Sequence, residues 1–137
     1  MFKIKDDIIK PCRFKNLKPT DIFFIADSVE HIAYMKFDNC DFNSYNAVNL
    51  HNGILEKFDL EHVIKIDRKL NFYPSNEHNI VFYNDIDRGD YFWMKPPYGS
   101  LEMFIKFSYH ESIDLRDGRC YYFDRLDIVS PIDEVTL

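Results

Sequence analysis

Apolar side chains recur at alternate positions in short runs along this chain, and turn residues separate the runs. From Asn46 to Phe58, Val48 and Leu50 flank Asn49, His51-Asn52-Gly53 interrupts, and Ile54, Leu55 and Phe58 follow. Alternation with period two predicts half-buried strands, and Asn-Gly between two such runs is a strong hairpin signal. The same reading predicts strands over residues 21–26, 31–37, 47–50, 54–58 and 62–66. Phe14 to Asp21 reads as an apolar anchor followed by a turn that Pro19 presets. Residues 1–10 form a lead-in that could add an edge strand. Residues 27–35 fit a helical pattern in isolation, but the repeat described next argues against a helix there.

The pattern occurs twice. Val48 matches Ile113, Leu50 matches Leu115, Gly53 matches Gly118, Phe58 matches Phe123 and Asp59 matches Asp124, each pair 65 residues apart. Upstream, Lys36 and Phe37 match Lys106 and Phe107 at a spacing of 70, and Leu17, Asp21 and Phe23 match Ile86, Asp90 and Phe92 at 69. The spacing changes only between anchors, where loops absorb insertions. The largest change, 5 residues, falls in the first half at Asp38 to Tyr45. In the second half, strands are expected over 91–94, 101–109, 112–115, 119–123 and 126–130, with 80–83 leading in and 131–137 as a tail or edge. Residues 67–78, which include Pro74, Ser75 and Asn76, read as the linker.

Five strands in about 60 residues, with a long first loop and tight later hairpins, are the plan of a small SH3-like barrel. A unit of that size buries only about 60% of the surface its unfolded chain exposes, so two are expected to pack together. The expected fold is mainly β: two tandem, pseudo-symmetric, five-stranded SH3-like barrels over residues 1–73 and 74–137. Gly53 and Gly118 are expected at positive φ, where a Cβ is costly.

Composition narrows the function classes. Of 137 residues, 46% are hydrophobic and 17% aromatic, which argues for a packed core and against disorder. The net charge of −6 disfavours nucleic acid and anionic membrane surfaces. No apolar run is long enough to span a bilayer or serve as a signal peptide, and three unpaired-looking cysteines suggest a reducing compartment, so a cytoplasmic location is expected. The histidines and cysteines lack metal-ligand spacing, and Asp38 to Asn43 lacks the glycine and terminal Glu of a calcium loop. With no glycine-rich phosphate loop and no nucleophile placed beside a base, neither a cofactor nor an enzyme is expected.

The candidates that remain are surfaces. Asp21/Asp90 and Lys36/Lys106 recur in both halves; a turn-capping Asp, and a Lys whose stem covers core while its charge reaches water, account for them. Tyr91 and Phe92 cannot share one face of a strand, and neither can Tyr121 and Tyr122, so some of these rings must line a surface or the seam between halves. Partner-binding candidates are Trp93, Pro96, Pro97, Tyr98, Tyr121 and Tyr122 in the second half, with Asp38, Asp41 and Tyr45 in the longer loop of the first. The two prolines restrict their loop, which lowers the cost of ordering it on binding.

Leu17, Asp21, Phe23, then Met35-Lys36-Phe37, then Val48, Leu50, Gly53 and Phe58-Asp59 form a pattern that resembles small bacteriophage accessory proteins built from one or two SH3-like units. The resemblance implies an accessory protein that binds a host or phage protein, such as an inhibitor of a host defence system, in the host cytoplasm. It carries over no functional residue. A nucleotide-sequestering protein and a virion or assembly component are the alternatives, and homo-oligomerisation is compatible with each.

Overall fold

The computed structural model describes residues 11–25, 32–37, 45–67, 71–73, 80–94, 102–132 and 134–136. The chain is mainly β and antiparallel. The first half contains β1 (Pro11–Arg13), a 3₁₀ turn (Phe14–Asn16), β2 (Ile22–Ile25), β3 (Tyr34–Lys36), β4 (Ala47–Asn49), β5 (Leu55–Glu56) and β6 (Val63–Asp67), followed by β7 (Asn71–Tyr73). The second repeats the order with β8 (Val81–Phe82), a 3₁₀ turn (Tyr83–Asp85), β9 (Tyr91–Met94), β10 (Glu102–Lys106), β11 (Glu111–Asp114), β12 (Cys120–Tyr122) and β13 (Ile128–Ile132). The last strand is β14 (Glu134–Thr136).

The sheets run β1-β6-β2-β3-β4-β5 and β8-β13-β9-β10-β11-β12, so the two halves share one topology. Each sheet has six strands rather than the five expected, because Pro11–Arg13 and Val81–Phe82 pair with the last strand of their half. Ile128 and Val129 pair with β8, and Ser130, Pro131 and Ile132 pair with β9. The region expected to be only linker also needs correction. Asn71, Phe72 and Tyr73 pair with Thr136, Val135 and Glu134, forming a small sheet between the middle and the end of the chain.

Each half has its own core, and a third core lies between them. Phe14, Phe23, Tyr34 and Phe58 pack ring on ring in the first half, with Phe14 stacked on Phe58 at 5.6 Å and Phe23 edge-on to Phe58 at 5.1 Å. Tyr83, Phe92, Phe104 and Phe123 repeat that quartet, with Tyr83 stacked on Phe123 at 4.8 Å and Phe92 edge-on to Phe123 at 5.3 Å. On the opposite sheet faces, Ile22, Met35, Phe37, Val48 and Leu50 meet Tyr91, Ile105, Phe107 and Ile113 in one shared cluster. Tyr91 and Phe92, neighbours on β9, therefore face two different cores. The Tyr91 hydroxyl donates to the Leu50 carbonyl at 2.7 Å, and burial raises its pKa.

Hairpins dock reciprocally across the seam. Gly53 has φ +73° and Gly118 φ +73°, as the hairpin reading requires. The turn before β9 sits against the first hairpin at Gly53, and the turn before β2 sits against the second hairpin at Gly118. Thr20 and Gly89, at equivalent positions in those turns, also have positive φ, 78° and 91°.

Candidate partner-binding face

The polar residues repeated in both halves serve the fold. The Asp21 carboxylate accepts the Lys18 amide at 2.8 Å, and Asp90 accepts the Asp87 amide at 3.3 Å, so both close the turn before the first hairpin-forming strand. The lysines differ from expectation, because their ammonium groups turn inward. Lys36 Nζ donates to the Leu17 carbonyl at 2.8 Å and lies 4.9 Å from the Phe14 ring centre. Lys106 is buried, with Nζ donating to the Ile86 carbonyl at 2.6 Å and the Tyr83 carbonyl at 3.2 Å. The 3₁₀ turn in each half presents a carbonyl and a ring face to a cation, which compensates for lost water. Burial lowers the Lys106 pKa, against the pull of Asp87, Asp85 and Asp90.

The halves diverge on one outer face. Equivalent hydrogen bonds fix which residues correspond there. Phe14 N–H donates to the His62 carbonyl and Tyr83 N–H to the Asp127 carbonyl; Lys15 N–H donates to the Leu60 carbonyl and Asn84 N–H to the Arg125 carbonyl. Arg13 thus corresponds to Phe82, Lys15 to Asn84, Glu61 to Leu126 and, by the hairpin spacing, Lys57 to Tyr122. In the first half Arg13, Lys15 and Glu61 are charged and paired, beside exposed Leu60, which stands where the second half has Arg125. Glu61 accepts from Lys15 Nζ at 2.8 Å and from Arg13 Nη1, and these hydrogen bonds, Lys15 first, lower its pKa.

In the second half three of these positions are apolar or aromatic and open, while Lys15 gives way to Asn84; Ile128, equivalent to Val63, adds a position that is apolar in both halves. Tyr122 is 66% exposed, Leu126 72%, Ile128 60% and Phe82 49%. Phe82 and Ile128 are paired across β8 and β13. Tyr122 stacks on His110 at 5.1 Å, and exposed Tyr109 lies edge-on to His110 at 5.4 Å. His110 Nδ1 lies 3.2 Å from the Phe123 carbonyl, which fixes the ring. Asn84, His110, Asp124, Arg125, Leu126 and Asp127 line a shallow groove of about 650 Å³ on this face. The Asp127 carboxylate accepts the Asp124 amide at 2.8 Å, holding the groove's turn.

The structure separates the residues singled out from the sequence. Tyr122 lies on this face. Tyr121, one position before it, turns the other way: its ring meets Phe104 edge-on at 5.9 Å and its hydroxyl donates to Asp117 at 2.6 Å. That hydrogen bond, then burial, pushes its pKa up to about 12. Trp93 is half-buried against the shared core, so it belongs to the seam, and its Nε1 has no hydrogen-bond partner among the described residues. Tyr45 is 42% exposed in the first half, at the position equivalent to His110. Asp38, Asp41, Pro96, Pro97 and Tyr98 lie outside the described residues. Phe82, His110, Leu126 and Ile128 were not singled out. Comparing Arg13 with Phe82 and Glu61 with Leu126 across the repeat would have found two of them.

Charge follows the same asymmetry. Residues 1–73 hold eleven Lys or Arg and eleven Asp or Glu, whereas residues 74–137 hold six and twelve. The whole net charge of −6 therefore belongs to the second half. Among the described residues no group of three or more His, Cys, Asp or Glu is placed to hold a metal ion, and no helix is long and apolar enough to cross a membrane. The Ser108 hydroxyl donates to Glu111 rather than to His110. No protein-family model, curated protein or solved structure matches the chain.

Proposed function

We propose that this chain is a non-enzymatic protein-binding accessory protein that docks a partner on the outer face of its second half. One observation carries the reading. At equivalent positions of two halves with the same topology, Arg13, Lys57 and Glu61 are replaced by Phe82, Tyr122 and Leu126, all exposed. Solvent alone gives no reason for exposed apolar and aromatic side chains at three positions where the same fold is served by charged ones. Large exposed apolar patches mark interaction sites, and Tyr is a frequent anchor at interfaces.

The shared topology supports a reading of each half as an SH3-like unit. The resemblance noted from the sequence supports a bacteriophage accessory protein that engages a host factor in the host cytoplasm, a defence-system component being one such factor. The groove has a volume within the range of small-ligand sites. Two aspartates on its wall make it a poor seat for the phosphates of a nucleotide, so sequestration of a nucleotide is the weaker reading.

Affinity capture with the full chain and with its Leu126→Glu variant tests the proposal. The expected result is a stoichiometric protein recovered by the wild type and lost by the variant. A protein recovered equally by both, or none at all, would overturn it.

A further inference from the structure

We infer that the partner presents a positively charged segment carrying at least one large apolar side chain; this rests on the protein-binding reading above. The apolar part is set by Phe82, Tyr122, Leu126 and Ile128, all exposed. The charge is set by what surrounds them. Asp124 and Asp127 line the groove, exposed Asp85 follows its lining residue Asn84, and Arg125 is the cation among its lining residues. Asp87 and Asp90 lie further along, in the turn that docks on the first hairpin, and together with Asp85 they act on Lys106. The −6 charge of residues 74–137 gives this end of the sequence a field that attracts cations and repels anions.

Charge also decides between occupants. Two copies of this chain meeting through the same face would bring two sets of Asp85, Asp124 and Asp127 together with only Arg125 from each groove lining to offset them. Like charges in apposition cost free energy and select against that pairing. Pairing with the first-half face of another copy meets Arg13 and Lys15 already bound to Glu61, and would have to break those pairs. A basic segment meets none of these costs. Its Lys or Arg heads reach the aspartates, an apolar side chain enters the groove beside Leu126, and a guanidinium can lie on the open rings of Tyr109 and Tyr122.

A displayed library of random linear peptides, selected on the immobilised full chain, supplies the probe. Enriched peptides are then measured against wild type, Leu126→Glu and Asp124→Lys. The expected peptides are net positive with a large apolar residue. They lose about ten-fold in affinity or more on either variant, and weaken as salt is raised to screen the rim. Peptides that depend on Leu126 but are neutral or acidic would overturn the inference while leaving the protein-binding reading intact. If no enriched peptide depends on Leu126, both fall. Concentration-dependent self-association of the wild type that Leu126→Glu abolishes would replace the basic partner with a second copy of the chain.

Discussion

Gly53 and Gly89 touch backbone to backbone across the seam. A Cβ on Gly53 would stand 2.6 Å from the Gly89 nitrogen and 2.6 Å from the Lys106 carbonyl oxygen, and one on Gly89 would stand 2.7 Å from the Asn52 carbonyl carbon. The pseudo-equivalent contact is looser, since a Cβ on Gly118 would meet side-chain atoms of Pro19 and Thr20 at 3.1 and 3.3 Å. The two ends of the seam therefore differ in how much they can yield.

That difference sets an order of costs. All three glycines have positive φ, which costs an Ala about 1–2 kcal/mol. Gly118→Ala should lose about that much. Gly53→Ala and Gly89→Ala should lose about 1–3 kcal/mol more, because backbone must move to admit the methyl group. Chemical denaturation of the three variants checks the order, and equal losses would show that the seam adjusts freely.

A second prediction uses one half as the template for the other. The first half pairs Phe14 with Ala47, both fully buried, where the second has Tyr83 and Ser112, also fully buried. The two hydroxyls are 2.8 Å apart, and burial pushes the Tyr83 pKa up to about 12. Tyr83→Phe or Ser112→Ala alone leaves one buried hydroxyl without its partner, at about 1–2 kcal/mol. The double variant recreates the first-half pair and should cost less than the sum of the single changes. A double-mutant cycle by urea unfolding measures the coupling.

Asp114 invites the same comparison. It is fully buried; Oδ1 accepts the Arg116 amide at 2.7 Å and Oδ2 has no partner among the described residues. Asn49, its first-half equivalent, accepts the His51 amide at 2.8 Å through a neutral side chain. Burial raises the Asp114 pKa above 3.8, against the Arg116 hydrogen bond. The folded state then holds this proton to higher pH than the unfolded state does. Asp114 therefore costs stability progressively as pH rises from 3.8 through its folded-state pKa, and the full penalty remains at neutral pH. Asp114→Asn should stabilise the protein by about 1–2 kcal/mol at pH 7 and remove that contribution to the pH dependence. Melting temperatures of both forms across the acid range check the sign.

The outer face should be dispensable for folding. Carrying the first-half residues onto the second as Phe82→Arg, Tyr122→Lys and Leu126→Glu replaces exposed side chains with ones the equivalent scaffold already bears. Exposed substitutions of this kind usually change stability by about 0.5 kcal/mol or less each. The triple variant should melt within a few degrees of wild type by calorimetry. A collapse of the melting transition would mean that the apolar face is part of the fold.

Much of this architecture was legible in the sequence because the repeat is a folding device. Val48, Leu50 and Gly53 recur as Ile113, Leu115 and Gly118 since each hairpin must bury the same side chains and make the same turn. The β7–β14 pairing was not legible. Three-residue strands 63 positions apart carry no periodicity of their own. The inward lysines escaped notice because their partners are backbone carbonyls, which have no sequence signature. Alternation left surface and seam open for the successive rings of β9: both of its faces are covered, one by Phe104 and Phe123 and the other by the shared core, so Tyr91 marks the seam. The Lys57 to Tyr122 correspondence follows from the 65-residue spacing alone; which of Tyr121 and Tyr122 faces outward does not.

Hydrogen–deuterium exchange on the partner complex compares the two equivalent faces within one molecule. Binding should slow exchange around Phe82, His110, Tyr122 and Ile128 and leave Arg13, Lys57 and Glu61 unchanged. Protection of the first-half face instead, or of neither, would contradict the assignment of the binding face to the second half.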